Sequence, residues 1–131
     1  MPSATNLVVK NGAATPVDVT FTLLSPAAGD GGMAEWALKQ GVSSQEWVRF
    51  TQSAHKTPKG RVLKRKLKVP VAYTDAVTGL SVVYGYAEVN TTVSLPAFFP
   101  ESQKSNFVAY DVNLSAHPLM KECQADASNA T

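Results

Sequence analysis

The stretch from Gly60 to Val71 reads GRVLKRKLKVPV, and its alternation leaves few folds open. Successive side chains of a strand point to opposite faces. Lys64, Lys66 and Lys68 therefore share one face, while Leu63, Leu67 and Val69 share the other with Arg65. One side is apolar and must be covered. The other is a charged floor. The segment Ser81 to Leu95 alternates in the same way, with Val83, Ala87, Val89, Val93 and Leu95 set against Val82, Tyr84, Tyr86, Glu88, Asn90, Thr92 and Ser94. A third segment, about Gln45 to His55, sets Val48, Phe50 and Ala54 against Trp47, Arg49, Thr51, Ser53 and His55. Strands with one apolar and one polar face form an antiparallel sheet that is oily on one side and wet on the other.

The flanking segments supply the rest of the order. Leu7 to Val9 and Val17 to Leu23 read as a hairpin closed by Asn11-Gly12, a strong turn signal. Ser25 to Gly32 is loop, Ala34 to Leu38 is a strand, and Gly41 to Ser44 is a turn. Lys56 to Gly60 turns the chain into the basic strand. Pro70 should end or edge that strand, because proline cannot donate to a ladder. Tyr73 to Gly79 follows as a polar loop, and Pro96 and Pro100 stop the long strand. From Glu101 the period becomes helical, with Phe107, Tyr110, Asp111 and Leu114 at i, i+3, i+4, i+7 and Val108 and Val112 widening the stripe. His117-Pro118 breaks this helix and opens a second one to about Ala125, after which the tail should fray.

The expected architecture is α+β in a single domain spanning residues 1–131. It has an N-terminal β-hairpin (about 6–24), a five-stranded antiparallel sheet (about 33–96) and two C-terminal helices (about 101–126). The helices are the only elements that can cover the oily face, and one pair is too small for so wide a sheet. A second copy would complete the cover, so an intertwined dimer is expected, with helices over one face of a continuous sheet.

Composition narrows the function classes. Net charge is only +2, yet no Asp or Glu occurs from Arg49 to Thr74, where eight of the twelve Lys and Arg residues lie. Such clustering is an electrostatic footprint of polyanion binding. A lysine-rich edge strand that blocks aggregation would read similarly. No apolar run approaches a membrane span, and the first sixteen residues, MPSATNLVVKNGAATP, lack the charged and apolar regions of a signal peptide. No membrane partner is expected. The single Cys123 excludes an intrachain disulfide framework and suits core or dimer contact. His55 and His117 stand alone, carboxylates are not paired, and no phosphate loop or nucleophile motif occurs. No enzyme, metal or cofactor is expected. Trp36 and Trp47 read as packing residues.

Several local words, in order, resemble the coat proteins of single-stranded RNA bacteriophages, the leviviruses. They are Leu7 to Gly12 with Val17 to Thr20, then Gly32-Met33-Ala34-Glu35-Trp36, then Ser44-Gln45 before an aromatic. Lys66-Leu67-Lys68-Val69-Pro70, Asn90 and Leu95-Pro96-Ala97-Phe98 complete the series. The resemblance covers nearly the whole chain. It implies interlocked dimers that build an icosahedral shell, assembled in the bacterial cytoplasm and carried in the virion. Implied partners are further copies of the chain, genomic single-stranded RNA, an RNA hairpin at the start of the replicase gene whose binding represses translation, and a phage maturation protein. It further implies an RNA-facing inner floor. Lys64, Lys66 and Lys68 would neutralise phosphates there, with Arg49, Thr51, Ser53 and His55 on one neighbouring strand and Tyr86, Glu88, Asn90 and Thr92 on the other. Met33, Arg49, Thr51, Lys64 and Lys66 fall at the family's base pockets, and Asn90 at an RNA-contacting asparagine. The chain departs where Arg49 and Lys64 replace small hydroxyl residues, and where Glu88 stands at the family's stacking tyrosine with Tyr86 one pleat away. Tyr86 or Tyr84 is the expected stacker. The alternative class is a host single-stranded RNA-binding module, although an RRM alternates strands and helices rather than ending on both. A fibre or pilus subunit would leave the acid-free stretch unexplained.

Overall fold

The computed structural model describes residues 2–41 and 43–131. Two compact units make up the chain, Met1–Pro96 and Ala97–Thr131. The first contains β1 (Leu7–Lys10), β2 (Asp18–Ser25), β3 (Met33–Leu38), a 3-10 turn (Ser44–Glu46), β4 (Val48–Thr57), β5 (Gly60–Thr74) and β6 (Ser81–Pro96). The second contains α1 (Glu101–Ala116) and α2 (Pro118–Asp126). The expected order of hairpin, antiparallel strands and two terminal helices is the order found.

The strands follow one another in a single six-stranded antiparallel sheet, β1 to β6. The expected separate hairpin and five-stranded sheet are thus one surface, because β2 continues the pairing onto β3 through Thr22 opposite Ala37 and Leu23 opposite Trp36. The β1–β2 turn is closed by Asn11, whose side-chain oxygen accepts from the backbone N–H of Val17 at 3.0 Å. Its own N–H donates to the Val17 carbonyl at 2.9 Å.

Two boundaries differ from expectation. The segment from Ser44 begins with a 3-10 turn, and β4 starts only at Val48. Strand β5 does not end at Pro70 but runs to Thr74. The reason lies in the partners. β4 pairs with β5 only from Gly60 to Lys68, so beyond Lys68 β5 borders β6 alone. A proline on such an edge breaks no second ladder. The pairing shifts between Val71 and Ala72, which lie opposite Gly85 and Val83, so a bulge separates the long regular ladder from the Asp75–Leu80 loop.

On the apolar face, Trp36 is buried and its ring lies 5.7 Å from that of Phe50. The Trp36 indole N–H donates to the Thr5 carbonyl at 2.7 Å, drawing the N-terminal arm over this face. Arg65 lies on it too, in a polar row with Gln52 and Thr91. Many other apolar side chains stay open. Val89 is 41% exposed, and α1 and α2 contain no buried residue, with Tyr110 and Leu114 both more than 60% exposed. A two-helix unit this small cannot bury a core of its own. Its ends are ordered nonetheless: Phe99 meets Phe107 edge-on at 5.6 Å, and the His117 ring accepts from the Leu119 N–H at 3.2 Å to cap α2.

Two polar anchors fix the sheet's margins. Glu46 is buried, accepts from the Ser43 N–H at 3.2 Å and from the Ser81 hydroxyl, and so ties the 3-10 turn to the start of β6. Asp30, in the loop before β3, pairs with Arg61 at 2.5 Å and accepts from the Lys56 N–H at 3.0 Å, clamping the β4–β5 hairpin end. The Arg61 hydrogen bond, followed by the Lys56 backbone bond, holds the Asp30 carboxyl below the usual carboxylate range.

Two predictions follow from these anchors. Gly41 has φ +71°, and an added Cβ would strike the Glu46 side chain. Gly41→Ala should therefore lower the urea midpoint, at a cost of about 1–3 kcal/mol. Gly12→Ala, with open space around its Cβ, should be near neutral. Because the folded-state pKa of Asp30 is depressed, its contribution is full above the unfolded value of about 4 and fades as pH falls toward the lower folded value. Asp30→Asn should destabilise at neutral pH, and its difference from the parent should shrink in strong acid. An undiminished difference in acid would exclude the ion pair as its source.

Candidate nucleic-acid interface

Residues directly opposite in an antiparallel pair project to the same face, so the register decides what meets on the polar side. One row reads Met33, Ser53, Lys64, Thr92. The next reads Glu35, Thr51, Lys66, Asn90, and the third Ala37, Arg49, Lys68, Glu88. Tyr86 follows, opposite Pro70. All eleven residues singled out from the sequence lie on this face, in contiguous rows across β3 to β6. His55, opposite Val62, continues the face toward the hairpin end. Tyr84 falls at the bulge instead and packs edge-on against Tyr73 at 5.2 Å, apart from the rows.

The three rows hold four cations and two carboxylates. Glu88 lies 3.5 Å from Lys66 and 3.9 Å from Lys68, between two like charges that would otherwise repel. Arg49 donates to Glu35 at 2.6 Å and to the Ser44 carbonyl at 3.4 Å, which fixes its guanidinium. Lys64, at the far end of the stripe, is exposed. The side chains of these pairs are 31% exposed or more, so each pair is worth little to stability. Their effect is on the field above the sheet, which stays positive.

Two contributors escaped the sequence reading. Glu35 lies on this face in phase with Met33, a position that period two alone marks. Trp47, read as packing, has Lys39 Nζ at 5.4 Å and Arg49 Cζ at 5.6 Å from its ring centroid. Across the sheet, Lys68 Nζ sits 4.1 Å from the Tyr86 ring centroid. Ser44, Gln45, Trp47, Arg49, Lys68 and Tyr86 enclose a shallow cavity of about 180 Å³. Trp36, by contrast, is buried on the other face, as expected. Among the described residues no cluster of His, Cys, Asp and Glu could hold a metal ion. No helix among them is long and apolar enough to cross a membrane. Chemically, the face offers mobile ammonium groups, one fixed guanidinium, hydroxyls, an amide and aromatic rings, the set that meets phosphates and unpaired bases.

The family model for the levivirus coat protein matches residues 2–127. The chain belongs to the levivirus coat protein family. A levivirus coat protein is a structural component of the virion. Solved structures similar to this coat protein include the virus-like particle of bacteriophage NT-214, at 21% identity and a TM-score of 0.85, with 98% of each chain covered. The virus-like particle of Beihai levi-like virus 21 aligns at 20% identity and a TM-score of 0.83 over 99% of each chain. The capsid protein of bacteriophage GA aligns at 22% identity and 0.72 over 95% of each. At such identities the likeness shows the fold. No curated protein matches the coat protein by sequence.

Glu88 is the residue that restrains the positive face. Glu88→Gln should free Lys66 and Lys68 and move elution from heparin to higher salt, with a stability change below about 1 kcal/mol. Elution at lower salt would contradict the placement of Glu88 between these lysines.

Proposed function

We propose that this coat protein pairs into dimers that assemble a closed icosahedral shell and bind genomic single-stranded RNA on the polar face of the sheet. The chain acts in this as one coat-protein domain. The single observation that carries the RNA assignment is the gathering of Arg49, Lys64, Lys66 and Lys68 with Thr51, Ser53, Asn90 and Thr92 in contiguous rows on one face. Pairing is supported by the helices, which contain no buried residue, and by the open apolar residues of the opposite face. An intertwined dimer, with helices over one face of a continuous sheet, gives both a partner surface.

The proposal extends to the family's regulatory role. The same face binds a hairpin at the start of the replicase gene and represses its translation. Support comes from Asn90, Thr51 and Lys66 standing together in one row. Assembly in the bacterial cytoplasm and a maturation protein in the particle complete the reading. Nothing in the face calls for catalysis: it has no clustered acid, base and nucleophile, and the role is mechanical and electrostatic.

Size-exclusion chromatography of the recombinant chain, with absorbance at 260 and 280 nm and electron microscopy of the void fraction, tests it. Closed particles rich in RNA are expected. A small species that stays free of RNA and does not assemble when RNA is added would overturn the proposal in favour of another RNA-binding class or none. Replacing Lys64, Lys66 and Lys68 with Ser should leave pairing intact and reduce packaged RNA. Losing three phosphate contacts should also flatten the log–log salt dependence of single-strand binding by about 2 per site.

A further inference from the structure

The apolar face of the sheet and the apolar stripe of α1 each carry a charge that their patterns do not explain. On the sheet it is Arg65, between Gln52 and Thr91, with the apolar rows through Leu63 and Leu67 on either side. Lys56 and Arg61 share this face only at the hairpin end, where Arg61 holds Asp30. Among the described residues, the pairing of β3 to β6 places no Asp or Glu on this face. A carboxylate that meets Arg65 therefore comes from outside these strands. The side chain is half-buried and its Nε is shielded from water, which raises the value of a nearby counter-ion. On α1 the charge is Asp111. Glu101, the other acid of α1, sits in the first turn beside Lys104 at 2.5 Å. Asp111 instead lies four residues after Phe107 and three before Leu114, inside the stripe. That stripe is open: Phe107 is 37% exposed and Leu114 63%.

We propose that Arg65 of one copy pairs with Asp111 in α1 of a second copy. The inference rests on the dimer proposed above and goes beyond it by naming the residues that decide where on the sheet the second copy's helix lies. The two charges are opposite, and each is set in an apolar surface that needs a cover, so the surfaces match in charge as well as in polarity. The planar guanidinium fork suits a carboxylate, which it can bind through two N–H groups. Apolar side chains alone resist sliding weakly. One ion pair gives the contact a single register, because in any other both charges would be buried against hydrocarbon. Two-fold symmetry makes the contact twice, Arg65 of each copy meeting the partner's Asp111. The pair is a specificity device more than a source of affinity, since a buried ion pair gains little over an apolar pair of similar volume. A chain that kept one charge and lost the other would be a poor partner for this coat protein.

Complementary charge reversals test the contact and show whether it runs between copies. The full-length parent, Arg65→Glu and Asp111→Lys are expressed singly, and the two variants are also expressed together. Species released from any particles are weighed by native mass spectrometry, which separates the two variants by mass. The parent should give dimers. Each variant alone faces itself with two like-charge contacts, and its self-association should weaken about a hundredfold. Expressed together they should form mixed dimers almost exclusively. There the new carboxylate meets the new ammonium, and the native pair survives at the other site. Variants that each pair as tightly as the parent, or a random mixture of the three dimers, would overturn the assignment of Arg65 and Asp111 and leave the dimer standing. Variants that fail together as badly as they fail alone would overturn it as well, since a contact within one chain cannot be restored by a second. If the parent itself gives no dimer, the pairing proposal falls and this inference with it.

Discussion

The arrangement depends on the pairing register of β4, β5 and β6. Side chains alternate with a period of two, so a slip of one residue would carry every lysine of β5 to the apolar face and every leucine to the polar one. The register is pinned at one end by the tight turn at Pro58 and Lys59, where Thr57 donates to the Gly60 carbonyl at 3.1 Å. At the other end, the shift at Val71 and Ala72 absorbs the mismatch with β6. Between these points the ladder is regular, and the rows through Lys64, Lys66 and Lys68 stay in phase across three strands. A burial pattern thereby becomes an array of charge.

Concentrating cations on one face has an electrostatic cost, and the sheet lowers it locally. Glu88 divides Lys66 from Lys68, Glu35 takes Arg49, and two rings lend their π faces to Arg49 and Lys68. Lys64 is left with a hydroxyl neighbour on each side, Ser53 and Thr92. The face is therefore graded. Its Lys64 end is simple and mobile; its Arg49 end is fixed and aromatic.

Much of this was legible in the residues, because period-two alternation is a direct statement about faces. It placed Arg49, Thr51 and Ser53 with the lysines and with Tyr86, Glu88, Asn90 and Thr92, and it placed Arg65 among the apolar residues. What it hid has physical causes. Pro70 looked like a terminator because a sequence does not show on which side a strand lacks a neighbour. The 3-10 turn at Ser44–Glu46 was hidden because Gln45 and Trp47 fit the alternation of the strand that follows. The pairing of Glu35 with Arg49 spans two strands and needs their register. Trp47 satisfies a packing pattern and a surface pattern equally, and only the positions of Lys39, Arg49 and Tyr86 around it distinguish them. The merging of the hairpin with the sheet depended on how β2 meets β3, across a loop whose composition carries no pairing signal.

Neither α1 nor α2 contains a buried residue. In the proposed dimer the surface they complete belongs to a second copy, so the free energy of folding would contain a term in the chain's own concentration. At low concentration such a chain would be only partly committed to its structure and open to proteolysis. As copies accumulated, the same sequence would become progressively harder to unfold. Its lifetime would therefore lengthen with abundance, and the amount of protein made would itself time the passage from labile subunits to durable ones.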